Sequence, residues 1–297
     1  MNPSGTARPH VDGKAFLFLV PALSLYLLFA VVPVADSLRL SLFHWPHAAA
    51  DPEFCGLRNF ARLMQDGVFW RACLHNGLLI LLSLGVQLPV AFALAVLLSY
   101  PTRGRGGFRT AFFAPMVMPT VAIAVLWSNV YLPESGLLDS LIRLFDRDFA
   151  FGWLSEPRTA MACVFATVCW RYIGFHMVLY MAGLAAIDPQ LYEAARVDGA
   201  GPWRQCRHIT VPMMTPMIRL SCLLSVIGSL KYFDLVYMLA AGAPETSREL
   251  LATYVYRLAF AGGQGRYGYA SAVAVLLFLL ALAASSLLLA RYRKGEA

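Results

Sequence analysis

The chain has 297 residues, of which 59% are hydrophobic and only 14% charged, whereas soluble domains are about half apolar and a quarter charged. That balance excludes an ordinary soluble domain. The formal charge of +7 does not imply nucleic acid either, because the arginines stand at the ends of apolar runs and form no basic stripe interleaved with aromatics. The composition is that of an all-α, polytopic integral membrane protein.

In chain order, Arg8 and Lys14 precede an apolar run that could be mistaken for a signal peptide. The run is too long for an h-region and Val34-Ala35-Asp36 offers no small-residue cleavage site, so a retained first span is expected. Spans need about twenty mostly apolar residues. Six stretches qualify, roughly 15–35, 74–99, 110–131, 160–184, 214–240 and 268–290, and they read as one transmembrane domain over residues 1–297. Their connections alternate in charge. Arg8, Lys14, Arg103, Arg105, Arg109, Arg196, Arg204, Arg207, Arg219, Arg291, Arg293 and Lys294 lie densely on one side, which the positive-inside rule makes cytosolic along with both termini.

The opposite segments carry apolar anchors. Gly56-Leu57-Arg58-Asn59-Phe60 with Phe69-Trp70, and Gly136-Leu137-Leu138 with Trp153-Leu154, suit short helices lying along the membrane surface or docking an external partner. Cys55 and Cys73 leave room for an external disulfide, although the six cysteines show no CxxC spacing.

Ionisable groups deep in the spans are few: Arg171 and His176 in the fourth, Lys231 and Asp234 in the fifth. Such groups are costly in lipid and normally face protein or a water-filled cavity. Lys231 and Asp234, three apart, can pair on one helix or line a pathway. Tyr172, Phe175, His176 and Leu179 follow helical spacing on the fourth span, as Ser225, Ser229, Tyr232 and Phe233 do on the fifth. Two such stripes of rings and hydroxyls suit a polyhydroxylated solute, while helix packing through small residues is the alternative.

Between these two spans lies a polar interruption from Asp188 to Pro212. Asp188 is a good N-cap and Pro189 fits the first helical position. Gly199 sits where a left-handed residue would end the helix, and Gly201-Pro202 repeat the starting signals. A second short helix over 202–209 follows, and Pro212 is expected to stop it running into the next span. Trp203, Cys206 and Ile209 can present an apolar face and Arg204 and Arg207 a polar one.

Autonomous chemistry is missing from the sequence. Gly13-Lys14 is followed by Ala15, so there is no phosphate-binding P-loop. His44-Trp45-Pro46-His47 lacks the carboxylate or cysteine that would complete a metal set. No cofactor is expected in this chain.

The hairpin carries a resemblance. Glu193-Ala194-Ala195, three residues, Gly199, nine residues, Ile209 and then Pro212 resembles the cytosolic Glu-Ala-Ala loop of permease subunits in binding-protein-dependent bacterial ABC importers. Trp170-Arg171, Gly174-Phe175, Phe233-Asp234, Gly242-Ala243-Pro244, Gly56 to Phe60 and Tyr267 to Ala272 are similar to the carbohydrate branch of that family, the maltose and glycerol-phosphate permeases. Cys206 and Val211 depart from the Phe and Leu usual there. The resemblance implies a type I importer permease fold with six spans and a coupling hairpin, in a bacterial inner membrane. It implies that Glu193, Ala194, Ala195, Asp198, Gly199, Ala200, Trp203, Arg204, Cys206, Arg207, Ile209 and Pro212 dock onto an ATPase subunit, with Glu193 bonding the partner or bracing the corner. The implied partners are a second permease subunit, giving a heterodimer, two ATPase subunits that bind ATP and magnesium, and an external solute-binding protein delivering a sugar. A proton-coupled secondary transporter working through Asp234 and His176 is the alternative.

Overall fold

A computed structural model describes residues 13–47, 49–100, 104–239, 248–261 and 265–294. Expectations at Arg8, Arg103 and Gly242-Ala243-Pro244 lie outside the described residues. Four helices are long and apolar enough to cross a membrane singly: Phe18–Leu40, Gly67–Ser99, Thr159–Ala185 and Tyr267–Ala290. Two bent pairs meet the same test together, Arg105–Val117 with Thr120–Val130 and Pro202–Met213 with Thr215–Leu230. Counting each bent pair as one span gives up to six, the number expected, although the second pair begins in the hairpin, and three features change.

The second span starts at Gly67 and so absorbs Phe69-Trp70, because Asp66 caps it by accepting from the N–H of Val68 at 2.8 Å. The third span is not one straight rod; its halves meet at 102°. Pro119 is the cause, since it forces Met118 into extended backbone, with ψ at 141°. The fifth span ends at Leu230 and not near residue 240, with Asp234–Leu239 forming a separate short helix.

The second hairpin helix also departs from expectation. It runs past Ile209, through a π-type segment, Cys206–Thr210, to Met213, but as expected it does not continue unbroken into the next span, because the chain bends by 66° after Met213. Proline lacks an N–H and would orphan a carbonyl in a regular helix. The wider turn, in which the Val211 N–H reaches the Cys206 carbonyl, absorbs the irregularity.

Close helix contacts are made where side chains vanish. A Cβ on Gly174 would sit 1.9 Å from the Phe112 carbonyl oxygen, so the fourth span touches the backbone of the third. At the end opposite the hairpin, a Cβ on Gly268 would meet the Phe43 carbonyl oxygen at 1.9 Å. Phe43–His44 pairs there with Glu53–Phe54 in a two-residue antiparallel ribbon. Asn59 ties it down, donating from Nδ2 to the carbonyls of Ser41 and Phe43 at 2.9 Å each. Arg58–Met64 and Leu137–Ile142 are the two short helices foreseen on this side, while Trp153-Leu154 lies in a turn. Asp139 organises that turn by accepting from Trp153 Nε1 at 2.6 Å and from the N–H groups of Glu134 and Phe151. All six cysteines are free, so Cys55 and Cys73 form no disulfide.

Candidate functional site

Two regions gather the residues singled out by sequence. The first is the hairpin. Asp188 accepts from the Gln190 N–H at 2.9 Å and starts the helix Pro189–Val197. At its other end Gly199 adopts φ +75°, the Ala200 N–H reaches back to the Ala195 carbonyl, and the Gly199 N–H to the Arg196 carbonyl. That pair of bonds is a Schellman stop, and it satisfies two of the helix's orphan carbonyls.

The corner is rigid, yet its outer surface is bare. Val197 is 89% and Trp203 78% exposed, and Glu193, Ala194, Asp198, Arg204, Arg207 and Pro212 are exposed as well. Glu193 makes no hydrogen bond or ion pair among the described residues, so it does not brace the corner. Bracing falls to residues that sequence reasoning missed. Gln205 donates from Nε2 to the Ala200 carbonyl at 2.7 Å, and the hydroxyls of Tyr192 and Thr210 bond at 3.0 Å. Ala195, Ala200 and Cys206 are half-buried. Ile209 turns inward onto the cluster of Met177, Tyr180, Ile187 and Met214, so it does not share the outward face of Trp203.

The second region is a cavity of about 370 Å³ between the second, third, fourth and fifth spans, within the roughly 300–1,000 Å³ typical of small-molecule sites. Arg171, Tyr172, Phe175 and His176 line it from the fourth span, and Ser225 and Ser229 from the fifth. Lys231, Tyr232, Phe233 and Asp234 follow in the break after Leu230. Leu179, one turn beyond His176, is not part of the lining.

Lys231 and Asp234 do not share a helix. Lys231 caps one and Asp234 opens the next, and no ion pair joins them among the described residues. His176 is 3% exposed and its Nδ1 is 2.6 Å from Ser221 Oγ. Arg171 donates from Nη1 to Thr120 Oγ1 at 3.0 Å, and its guanidinium lies 5.7 Å from the centre of the Tyr172 ring. Tyr172 and Tyr232 meet edge to face at 5.9 Å.

The second span completes the wall with Ser83 and Gln87. Ser83 Oγ lies 3.4 Å from Gln87 Oε1 and 3.5 Å from Ser229 Oγ. Both had a legible signal, because two polar residues four apart inside an apolar run fall on one helical face. They bound the π-type segment Ser83–Gln87, an irregularity frequent at functional sites. Rings that can stack on apolar sugar faces alternate here with hydroxyl, amide and charged groups.

Comparison with known proteins agrees with this architecture. The family described as "Binding-protein-dependent transport system inner membrane component" matches residues 87–293. The probable ABC transporter permease protein YurN of Bacillus subtilis is 35% identical, over 95% of this chain and 96% of that protein. The lactose transport system permease protein LacF of Rhizobium radiobacter is 32% identical, over 92% of each. Among solved structures, a bacterial ABC transporter involved in the import of the acidic polysaccharide alginate superimposes with a TM-score of 0.83 at 25% identity, covering 95% of this chain and 96% of that one.

Proposed function

Since the chain belongs to the binding-protein-dependent transport system inner membrane component family, we propose that it forms one half of the membrane pore of an ATP-driven sugar importer. Its fold is that of type I importer permeases. In this reading an external binding protein delivers a sugar, and a second permease of different sequence forms the other half of the pore. Two ATPase subunits bind ATP and magnesium and act on the hairpin. The chain contributes transport and not hydrolysis. Both termini and the hairpin face the cytosol, in keeping with Arg196, Arg204 and Arg207 around the corner.

The observation that carries the reading is the contrast within the hairpin, a corner fixed by Gly199, Gln205 and Tyr192 that leaves Val197, Trp203 and Glu193 uncovered. A rigid, uncovered corner transmits force from a docked neighbour without deforming. As the ATPase subunits close, the hairpin moves as a body and the spans rock about the cavity. A sugar in that cavity would stack on Tyr172 and Phe175 and exchange hydrogen bonds with Ser83, Gln87, Ser225 and Ser229.

The test is uptake in the producing organism, where all partner subunits are present. Replacing Glu193 with Ala together with Gly199→Val should abolish transport while leaving the protein at its normal level in the membrane. A β-branched residue strains the left-handed position by about 1–2 kcal/mol, which misaligns the corner without unfolding the spans. Normal uptake by the double variant defeats the proposal.

A further inference from the structure

The cavity offers more hydrogen-bond donors than its own walls use. Arg171 is 9% exposed and only part of its donor set is engaged, by Thr120. Its Nε is buried without a partner, as is the Ser225 hydroxyl, and the buried Tyr232 hydroxyl lies beside the Arg171 guanidinium. All three residues line the cavity. Buried polar atoms are nearly always bonded, and the guanidinium is donor-only while the two hydroxyls can donate or accept, so the unfilled N–H of Arg171 calls for an acceptor in this space.

Charge narrows what that acceptor is. Among the described lining residues the permanent cations are Arg171 and Lys231, and the one acid is Asp234. Lys231 and Asp234 are both exposed and of opposite sign, which leaves Arg171 as the buried and unbalanced charge of the lining. Arg171 has no ion pair among the described residues. A guanidinium cannot shed its proton, and the Tyr172 ring at 5.7 Å relieves its charge only in part. A neutral solute would leave this buried cation uncompensated.

Resting on the sugar-import reading above, we propose that the cavity selects saccharides bearing an oxyanion. Arg171 receives the oxyanion, the Tyr232 and Ser225 hydroxyls donate to its remaining oxygens, and the Tyr172 and Phe175 rings face the sugar body. Guanidinium geometry matches carboxylate and phosphate alike, so the shared feature is a planar or tetrahedral group of anionic oxygens on a sugar.

The experiment is uptake of three radiolabelled probes by the producing organism, with the permease gene deleted and then restored as wild type, Arg171→Gln, Arg171→Lys or Tyr232→Phe. The probes are a glucuronic-acid disaccharide, a hexose phosphate and lactose. Wild type should import an acidic probe, and whichever arm responds identifies carboxylate or phosphate. R171Q should lower that uptake roughly ten-fold or more at equal membrane abundance, R171K should retain part of it, and Y232F should raise the half-saturating concentration a few-fold. Should R171Q not reach the membrane, Y232F decides, and unchanged acidic uptake by that variant overturns the proposal. Permease-dependent uptake confined to lactose overturns it too. So does acidic uptake that R171Q leaves intact, the outcome expected if an acid of a partner subunit pairs with Arg171. In both cases the sugar-import reading stands. If deletion changes uptake of none of the three probes, the import reading itself falls and takes the proposal with it.

Discussion

The two ends of the bundle solve the same problem, closing off a set of helix ends, in opposite ways. At the end opposite the hairpin, Leu63, Phe69, Leu251, Tyr254, Leu258 and Tyr269 form a buried cluster. A single carboxylate ties its elements together. Asp66 caps the second span and accepts from the hydroxyls of Tyr254 and of Tyr269, the latter at 2.7 Å. Glu249 and Arg257 add a paired salt bridge beside it. That end completes itself within one chain. The hairpin end has backbone caps and two side-chain braces, but its apolar tips, Val197 and Trp203, are left largely uncovered by this chain. The difference separates what the fold needs from what the assembly needs: substitutions at the first end should cost stability, and substitutions at the second should cost transport.

The largest effect expected is at Gly268. Valine there would drive its Cβ into the Phe43 carbonyl, a backbone atom that cannot yield without moving the ribbon, and correctly inserted protein should be lost, as read by membrane abundance and detergent-solubilised yield. Leu63→Ala follows. Leu63 is fully buried, and truncating such a leucine costs about 2–5 kcal/mol, which a thermal melt of the purified protein would register.

Asp66→Asn ranks third, at about 1–3 kcal/mol for disturbing hydroxyl partners that a carboxylate holds, and it carries a pH signature. Burial pushes the Asp66 carboxyl up, but the Tyr254 and Tyr269 hydroxyls and the Val68 and Phe69 N–H groups together outweigh burial and hold it below its ordinary value of 3.8. A carboxyl depressed in the folded state stabilises fully above its unfolded pKa and loses that contribution as pH falls through the folded one. Stability should therefore fall in acid below about pH 4 in the wild type, and less steeply in the variant. An unchanged acid limb in D66N would show that another carboxyl governs it. Asp139 is the first to examine, since Trp153, Glu134 and Phe151 also outweigh burial there and hold it low.

Much of this was legible in the sequence, and the misses share a cause. The helix stop at Gly199 was readable because a Schellman motif is decided within six residues, and the aromatic and hydroxyl stripes because helical spacing decides which side chains share a face. The extension of the second hairpin helix past Ile209 to Met213 was not, because a π-type turn can absorb a proline where a regular helix cannot, and nothing local announces which will form. Likewise pairing, one of the two roles open to Lys231 and Asp234, presumed an unbroken helix, while the break after Leu230 places them on different elements. The inward turn of Ile209 followed from the same π-type segment, which shifts the helix face by a residue. The bond between Tyr192 and Thr210 depends on the angle between two helices, which spacing within either one does not fix.

Tyr192→Phe should have a small effect on stability, about 0.5–1.5 kcal/mol for one hydroxyl pair, and a larger one on transport because it loosens the corner. Trp203→Ala takes the contrast to its limit. At 78% exposure the indole contributes little to this chain alone, and surface substitutions of that kind fall within about 0.5 kcal/mol. The melt of purified W203A should therefore overlay that of the wild type. If the tip fills a cleft on an ATPase subunit, however, the same truncation removes an aromatic anchor, the residue type whose loss costs most at protein interfaces, at least 2 kcal/mol where it is a hot spot. Co-purification with the ATPase subunits and coupled uptake should both fall, and the stability of the isolated chain should not. A lowered melting temperature with normal co-purification would reverse the comparison, making Trp203 part of the fold and leaving the hairpin without its outward-facing anchor.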